Sequence, residues 1–192
     1  MCERPLRSAR EVIGGVEPGV GVVGDVRGLE TGRSAVRARL TGHLVLCTLH
    51  TNTAVGAVTR LRDVGIERFL LSSSLIGVLA QRLVRVLNPD TREPFPAGEY
   101  ERRLLNLDSK GNPVQLYRPG NESGNGYRGR TGIYELIAVD DHMRTMIHDG
   151  ASEQELERHA RTASPGIRDD GRRKVMAGDT TLEEVLRVTR ED

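Results

Sequence analysis

The sequence predicts an α/β protein with a parallel sheet, followed by a helical C-terminal part. Two short apolar runs have the length of strands, and each is followed by apolar residues at helical spacing. Further helices are indicated near the C terminus by serine or threonine followed three residues later by glutamate. Strand, helix, strand, helix in this order is typical of a parallel sheet with helices on its faces.

Composition limits the core and the possible partners of the chain. Of its 192 residues, 37% are hydrophobic and only 3% aromatic, so the core must consist of Val, Leu, Ile and Ala. The 28 basic residues balance 27 acidic ones, so no overall field attracts nucleic acid. The two cysteines are too few for a disulfide framework, and no apolar run approaches the ~20 residues of a membrane span. We therefore expect a cytoplasmic protein without a membrane span.

The first strand and helix follow a loose N-terminal segment, residues 1–19. Val20–Val23 is a β-branched run that predicts a buried parallel strand, and Gly24 and Asp25 end it. The small or apolar positions of Leu29–Leu40 predict a helix, with Glu30 at the favourable end of its dipole. Asp25 is therefore expected at the carboxyl end of a strand.

The second strand and the helices after it occupy residues 43–87. His43–Leu49 is a nearly continuous apolar run that ends in a polar cluster, His50-Thr51-Asn52-Thr53. Ala54–Val64 and Ile66–Ala80 predict two helices separated by Gly65, and Leu83–Leu87 alternates like a strand.

The composition changes at Asn88. Prolines, glycines and polar residues dominate residues 88–130, which predicts an irregular excursion with one short helix near Glu99–Leu107. Thr131–Val139 then predicts a strand. The remaining helices are predicted at Asp141–His148, Ser152–Thr162, Asp169–Ala177 and Thr181–Thr189.

One class of nucleotide site is excluded by the lysines. A phosphate-binding loop of the form GxxxxGK[ST] requires a lysine directly after a glycine. The only lysines are Lys110, which follows Ser109, and Lys174, which follows Arg173. These 192 residues therefore contain no P-loop.

Polar side chains at the two strand ends are the candidates for chemistry. An acid such as Asp25 at the end of a buried strand can hold Mg²⁺ or orient water beside a triphosphate, or it can be a loop residue that caps the next helix. His50 could donate a hydrogen bond to a phosphate, whereas Asn52 or Thr53 could simply cap the following helix. Because parallel strands bring their carboxyl ends to one sheet edge, the two candidates are expected to lie close together.

Four segments resemble the type II secretion and type IV pilus assembly ATPases. They are VVGDVRGLET at Val22–Thr31, the block Thr41–Leu87, GYRGRTGIYEL at Gly126–Leu136 and TTLEEVLRVTRED at Thr180–Asp192. Within the family the resemblance is nearest to the type II secretion motor, general secretion pathway protein E, and it covers the C-terminal half. It implies a RecA-like parallel sheet, truncated here because the docking domain, P-loop, acidic motif and intersubunit arginines of the family precede residue 20.

The resemblance also implies site residues. Gly24 and Asp25 match the Gly-Glu pair of the family's Walker B segment, so Asp25 replaces the glutamate that polarises the attacking water. Removing one methylene withdraws the carboxylate by roughly an ångström, which can reduce the rate about a hundredfold. The other matched positions, expected beside the nucleotide, are Arg27, His43, Thr48, His50, Thr51 and Asn52; the family's usual aspartates are Gly28 and Thr53 here.

The family's zinc subdomain does not match. Two CxxC pairs of the family correspond to Asn88–Thr91 and to about Pro119–Ser123, and neither stretch contains cysteine. Structural zinc requires four such ligands. We therefore expect no zinc; Asn88, Asp90 and Glu122 are only a remote alternative for a harder cation.

By this resemblance the protein is part of an ATP- and Mg²⁺-dependent motor that drives pseudopilus assembly and protein export. The family implies a homohexamer at the cytoplasmic side of the inner membrane, bound to platform proteins. The alternatives are a pilus assembly ATPase or a non-catalytic remnant or interaction module. A nucleic-acid module is disfavoured because the arginines alternate with acids.

We predict no ATP hydrolysis by the isolated chain and an exposed apolar face at Ala54–Ala80. The domains predicted are 1–19, a core at 20–87, the excursion 88–130, and 131–192.

Overall fold

The computed structural model of the chain describes residues 19–51, 53–108, 111–120 and 126–190, so the predicted loose segment lies almost wholly outside the described residues. The predicted α/β fold class is confirmed. The strands are β1 (Val20–Asp25), β2 (Leu44–Thr48), β3 (Gly77–Leu87), β4 (Glu93–Pro96), β5 (Gln115–Arg118) and β6 (Tyr127–Ala138). The helices are α1 (Leu29–Leu40), α2 (Gly56–Asp63), α3 (Arg68–Ser74), α4 (Glu99–Leu104), α5 (Asp141–Asp149), α6 (Glu153–Ala163), α7 (Ile167–Met176) and α8 (Leu182–Thr189).

The elements form two compact units. The first comprises the described residues up to Val78 together with Ile137–Ala163, and the second comprises Leu79–Leu136 with the described residues from Ser164. Strands β1 and β2 pair in parallel in the first unit. Strands β4 and β5 pair antiparallel in the second, and β3 pairs with β6. The domain boundaries that we infer from the sequence remain predictions.

The parallel pair is less buried than its sequence predicts. Val20 and Val22 of β1 expose 69% and 77% of their surface, and Leu46 of β2 exposes 53%. Alternate strand residues point to opposite faces, so these side chains share one open face of the pair while α1 packs against β2. The prediction that Val20–Val23 is a buried strand is therefore wrong for one face.

The helix predicted for Ile66–Ala80 is wrong in its second half. Helix α3 ends at Ser74, and the chain is already extended at Leu75 and enters β3 at Gly77. Hydroxyl groups of three consecutive serines donate to carbonyls of α3: Ser72 and Ser73 to that of Phe69, and Ser74 to that of Leu70. Such side-chain bonds compete with helical backbone bonds and favour a helix end. Strand β3 is correspondingly longer than the predicted Leu83–Leu87.

The apolar face predicted to be exposed at Ala54–Ala80 is largely covered within the first unit. Helix α2 packs against α3 and α6, and α3 also packs against α1 and α5. Of the large apolar residues in this stretch, only Phe69, Ile76 and Leu79 are strongly exposed. Its buried residues are Ala54, Val55, Ala57, Val58, Leu61, Ile66 and Leu71.

The helices predicted after the last strand are confirmed within one or two residues at their ends. Asp140 caps α5 by accepting a hydrogen bond from Met143 N at 2.7 Å, and Gly150 ends this helix at φ +82°. Ser152 and Glu155 form the predicted capping contacts before α6. Thr181 caps α8, but the Glu184 side chain binds arginines instead of returning to the cap.

Residues 88–130, predicted to be irregular, contain β4, α4 and β5. Leu105 and Leu116 from this stretch are buried in one core with Ile133, Val175 and Leu182. Burial of these apolar side chains orders the stretch despite its prolines and glycines. The longest described helix, α1, has 12 residues, and no described helix is both long and apolar enough to cross a membrane.

Candidate functional site

Asp25 lies at the carboxyl end of β1, directly after an irregularity in the strand pairing. The register runs from Val20 opposite Leu44 to Val23 opposite Cys47, skips Gly24, and resumes with Asp25 opposite Thr48. The backbone is held here by a hydrogen bond from Val26 N to Thr48 O at 2.9 Å. The two strand ends predicted to adjoin are therefore adjacent in the fold.

Two basic side chains converge on one oxygen of Asp25. Arg27 Nε donates to Asp25 Oδ2 at 2.6 Å, and His50 Nε2 lies 3.2 Å from the same atom. The hydrogen bond from Arg27 is the main reason that the pKa of Asp25 lies below its ordinary value; burial, the next largest effect, opposes it, and the proximity of His50 lowers the pKa further. Asp25 is thus ionised, which suits an acid that orients water.

The site is open to solvent. The side chains of Arg27 and His50 are 83% and 86% exposed, whereas that of Asp25 is 22% exposed. A Cβ built on Gly24 or Gly28 would meet no atom within 4 Å. The first unit therefore leaves free space around the acid, as a site for a substrate requires.

His43 is not brought to this site. Its Nδ1 lies 3.3 Å from Thr41 Oγ1, at the amino end of β2, whereas His50 follows the carboxyl end. Strand β2 separates them by roughly 16 Å at ~3.3 Å per residue. Of the residues expected beside the nucleotide, Gly24, Arg27, Thr48 and His50 adjoin Asp25, and His43 does not.

The turn after His50 serves the start of the next helix. Thr51 Oγ1 donates to Thr53 O at 2.9 Å, and Thr53 Oγ1 accepts from Gly56 N at 2.9 Å. Thr53 Oγ1 also donates to Glu153 Oε1 at 3.0 Å. The capping alternative thus applies to Thr53, while Asn52 lies outside the described residues.

The stretches that the resemblance aligns with zinc ligands do not fit a zinc ion. Between residues 88 and 130 there is no cysteine. Asn88 Oδ1 accepts from Asp90 N at 3.3 Å, so that side chain is used inside its own turn. Within the described ranges, no three His, Cys, Asp or Glu residues are grouped so that they could hold a metal.

Sequence reasoning missed a second acid–histidine contact. His159 Nε2 lies 2.9 Å from Asp140 Oδ2, and the ring of His142 stands edge-on to that of His159 at 4.7 Å between centroids. Both histidines line an open cleft of about 610 Å³ beside α5 and α6. No motif signals the pair, because its members are 19 positions apart and meet only through helix packing.

Comparison with known proteins places the chain in a family. The sequence profile described as Type II/IV secretion system protein matches residues 13–187. The chain is 62% identical over 179 residues to the type II secretion system protein E of Pseudomonas aeruginosa, covering 92% of this chain and 36% of that protein. It is 59% identical over 178 residues to the type II secretion system ATPase E of Vibrio cholerae, covering 91% of this chain and 35% of that protein.

Solved structures support the same assignment. The crystal structure of the pilus retraction motor PilT with bound ADP superposes with a TM-score of 0.64 at 25% identity, covering 95% of this chain and 43% of that one. The ATPase DotB of Legionella pneumophila, at 18% identity, shares the fold with a TM-score of 0.63 over 94% of this chain and 40% of that one. The chain spans about a third of the length of the curated relatives it matches, and it belongs to the Type II/IV secretion system protein family.

Proposed function

We propose that this chain forms part of an ATP-driven motor of type II protein secretion, in which Asp25 orients the attacking water. The observation that carries the proposal is the junction of the β1 and β2 ends, where Asp25 and His50 adjoin. The type II names of the relatives favour secretion over pilus assembly. ATP would reach the site as its magnesium complex, so Mg²⁺ belongs to the substrate.

The phosphates need a cradle that these 192 residues do not contain. A P-loop supplies backbone N–H groups and a lysine for the β- and γ-phosphates. No lysine here follows a glycine. The proposal therefore requires that polypeptide outside these residues hold the phosphates, while this chain supplies the acid, Arg27 and His50 next to the γ-phosphate.

Asp25 acts through its position and charge. Phosphoryl transfer is promoted mainly by positioning and by charge stabilisation, so the acid has to hold a water in line with the γ-phosphorus. Among the described residues, the contacts of Arg27 and His50 are both made to Oδ2, which leaves Oδ1 to accept a hydrogen bond from that water. Hydrolysis then breaks the bond between the γ-phosphorus and its bridging oxygen, and the proton of the water passes to phosphate or solvent.

The contact with Asp25 restricts what His50 can donate. If the neutral ring carries its hydrogen on Nε2, facing the carboxylate, its Nδ1 is only an acceptor. A hydrogen bond to a phosphate oxygen then requires either the doubly protonated ring or a ring turned away from Asp25. His50 therefore donates to the γ-phosphate only in one of these two states, and only the second requires it to leave Asp25.

The experiment exchanges a segment in a full-length relative. The corresponding third of the P. aeruginosa protein is replaced by this chain, and ATP hydrolysis and secretion are measured in a strain that lacks the native gene. We expect both activities, and we expect Asp25→Asn to reduce kcat by about a hundredfold or more. Asp25→Glu should raise kcat, because it restores the longer acid.

Glu30→Gln is the matched control, since Glu30 is an exposed acid at the start of the nearby helix α1. It should leave kcat unchanged. Wild-type kcat in Asp25→Asn would exclude the catalytic role of Asp25.

A second candidate, a non-catalytic interaction module, is favoured by the open apolar face of β1 and β2. Unpaired strand edges and apolar faces promote association with other chains. A chimera that assembles but does not hydrolyse ATP would support this alternative. Assembly as a homohexamer on platform proteins at the inner membrane is part of the motor proposal and is tested by the size of the purified chimera.

A further inference from the structure

The Asn88–Arg92 turn of the second unit meets the backbone of Gly120 and of Gly126. Asn88 N donates to Gly126 O at 3.0 Å. A Cβ atom on Gly120 would collide with Thr91 O, so Gly120 lies directly against that carbonyl. Thr91 belongs to the first stretch that the resemblance aligns with zinc ligands, and no space for an ion remains between Thr91 O and Gly120.

The Asn88–Arg92 turn forms several hydrogen bonds within itself, although Thr91 Oγ1 is buried without a partner among the described residues. Asn88 O accepts from Thr91 N at 3.2 Å and from Arg92 N at 3.0 Å, and Asn88 Oδ1 accepts from Asp90 N. A turn with these internal bonds is formed by local chemistry. It needs no ion to set its shape.

Arg92 anchors the turn to the rest of the second unit. Its guanidinium lies over the ring of Tyr117, 4.2 Å from the centroid, and donates to the carbonyl of Gly178. Gly178 has φ +74°, and a Cβ there would collide with both Arg92 and Tyr117. Leu116, beside Tyr117, is 1% exposed in the core of this unit.

We propose that the contact of Gly120 with Thr91, together with the Arg92 anchor, holds the Asn88–Arg92 turn in place without a metal. Glycine allows the close approach because it has no Cβ atom. The planar guanidinium stacks on an aromatic ring, which lysine cannot do. We therefore expect the second unit of this chain to be stable without zinc, unlike the zinc subdomain of the family.

The first test compares the complete 192-residue chain in EDTA and with equimolar zinc chloride. Thermal unfolding is measured together with hydrogen exchange of the Asn88 amide, because that N–H donates to Gly126 O. Both should be the same in the two conditions. A lower melting temperature in EDTA, or slower exchange of Asn88 with zinc, would overturn the proposal, and neither result bears on the motor function.

The second test uses Gly120→Ala with Gly111→Ala as its matched control. Gly111 lies in the same excursion, but a Cβ there would stand 3.4 Å from Asp108 atoms, an ordinary contact. We expect exchange of the Asn88 amide to accelerate at least about tenfold in Gly120→Ala and less than about twofold in Gly111→Ala. Equal exchange in the two variants would overturn the proposal.

Arg92→Lys keeps the test decisive if Gly120→Ala does not fold. Lysine retains the charge but loses the planar stack on Tyr117 and the directed bond to Gly178. Exchange of the Asn88 amide should accelerate in this variant as well. Unchanged exchange would show that Arg92 does not hold the Asn88–Arg92 turn in place, and it would overturn that part of the proposal.

Discussion

The two units each contain an acid between two basic side chains, but they use the arrangement differently. In the first unit Asp25 is 22% exposed beside Arg27 and His50. In the second, the Glu184 side chain is only 2% exposed, between Arg85 and Arg187. The same charge pattern thus occurs once at an open strand end and once in a core.

The buried acid, Glu184, accepts more hydrogen bonds than the more exposed Asp25. Glu184 Oε1 accepts from Arg85 Nη2 at 2.8 Å and from Arg187 Nε at 3.1 Å, while Oε2 accepts from Arg85 N at 3.0 Å and Arg187 Nη2 at 2.9 Å. The hydrogen bonds from Arg187, followed by those from Arg85, lower the pKa of Glu184 from 4.5 to about 2. Among the described residues, Asp25 receives its side-chain contacts on Oδ2 alone, which is compatible with the proposed role in orienting water, whereas both oxygens of Glu184 are bound.

The largest expected effect is on the buried acid. Glu184→Gln should lower the free energy of unfolding by about 2 kcal/mol, because the buried side chain loses its charge-assisted hydrogen bonds to Arg85 and Arg187, whose own side chains are 45% and 59% exposed and stay solvated. Urea denaturation monitored by amide exchange within the second unit measures it. Glu183→Gln, the exposed neighbour, is the control and should change stability by less than about 0.5 kcal/mol. Equal effects would show that burial does not distinguish these acids.

Acidification should distinguish the two units. Because the pKa of Glu184 is lower in the folded chain, its stabilising effect is complete above about pH 4.5 and is lost as the pH falls toward 2. Urea midpoints of the second unit should fall in this window, and less so in Glu184→Gln. The same dependence in the variant would assign the acid sensitivity to other carboxyl groups.

A smaller effect is expected on the open face of the first unit. Val22→Thr places a polar, β-branched side chain at a position that is 77% exposed. Stability should change by less than about 0.5 kcal/mol, while self-association at high concentration decreases. Sedimentation velocity of the complete chain measures the association. A large loss of stability would indicate that this face is covered in solution.

The smallest effect concerns the balance of charge at Asp25. Arg27→Gln should raise the pKa of Asp25 more than His50→Gln does, because the hydrogen bond from Arg27 is the largest cause of its low value. Titration of the carboxyl carbon by NMR measures this directly. If His50→Gln has the greater effect, the histidine is the main partner of the acid in solution.

Local sequence patterns correctly predicted the helices whose ends are marked by capping or terminating residues. The bounds of α1 are the predicted ones, and α6 and α8 begin directly after the residues expected to cap them, Ser152 and Thr181. The end of α3 was missed because a run of Leu and Ser residues is compatible with helix, and pairing of β3 with β6 decided against it. Asp25 and His50 were predictable as neighbours because the ends of adjacent parallel strands must meet.

The sequence by itself determined the family, the order of the two strand ends and the absence of a P-loop lysine from these residues. The tertiary structure alone decided which acid is buried, because Glu184 meets Arg85 across 99 positions of the chain. It also decided that the backbone of Gly120 lies against the carbonyl of Thr91. Burial and close approach depend on packing between distant segments, and a local pattern of residues carries no information about that packing.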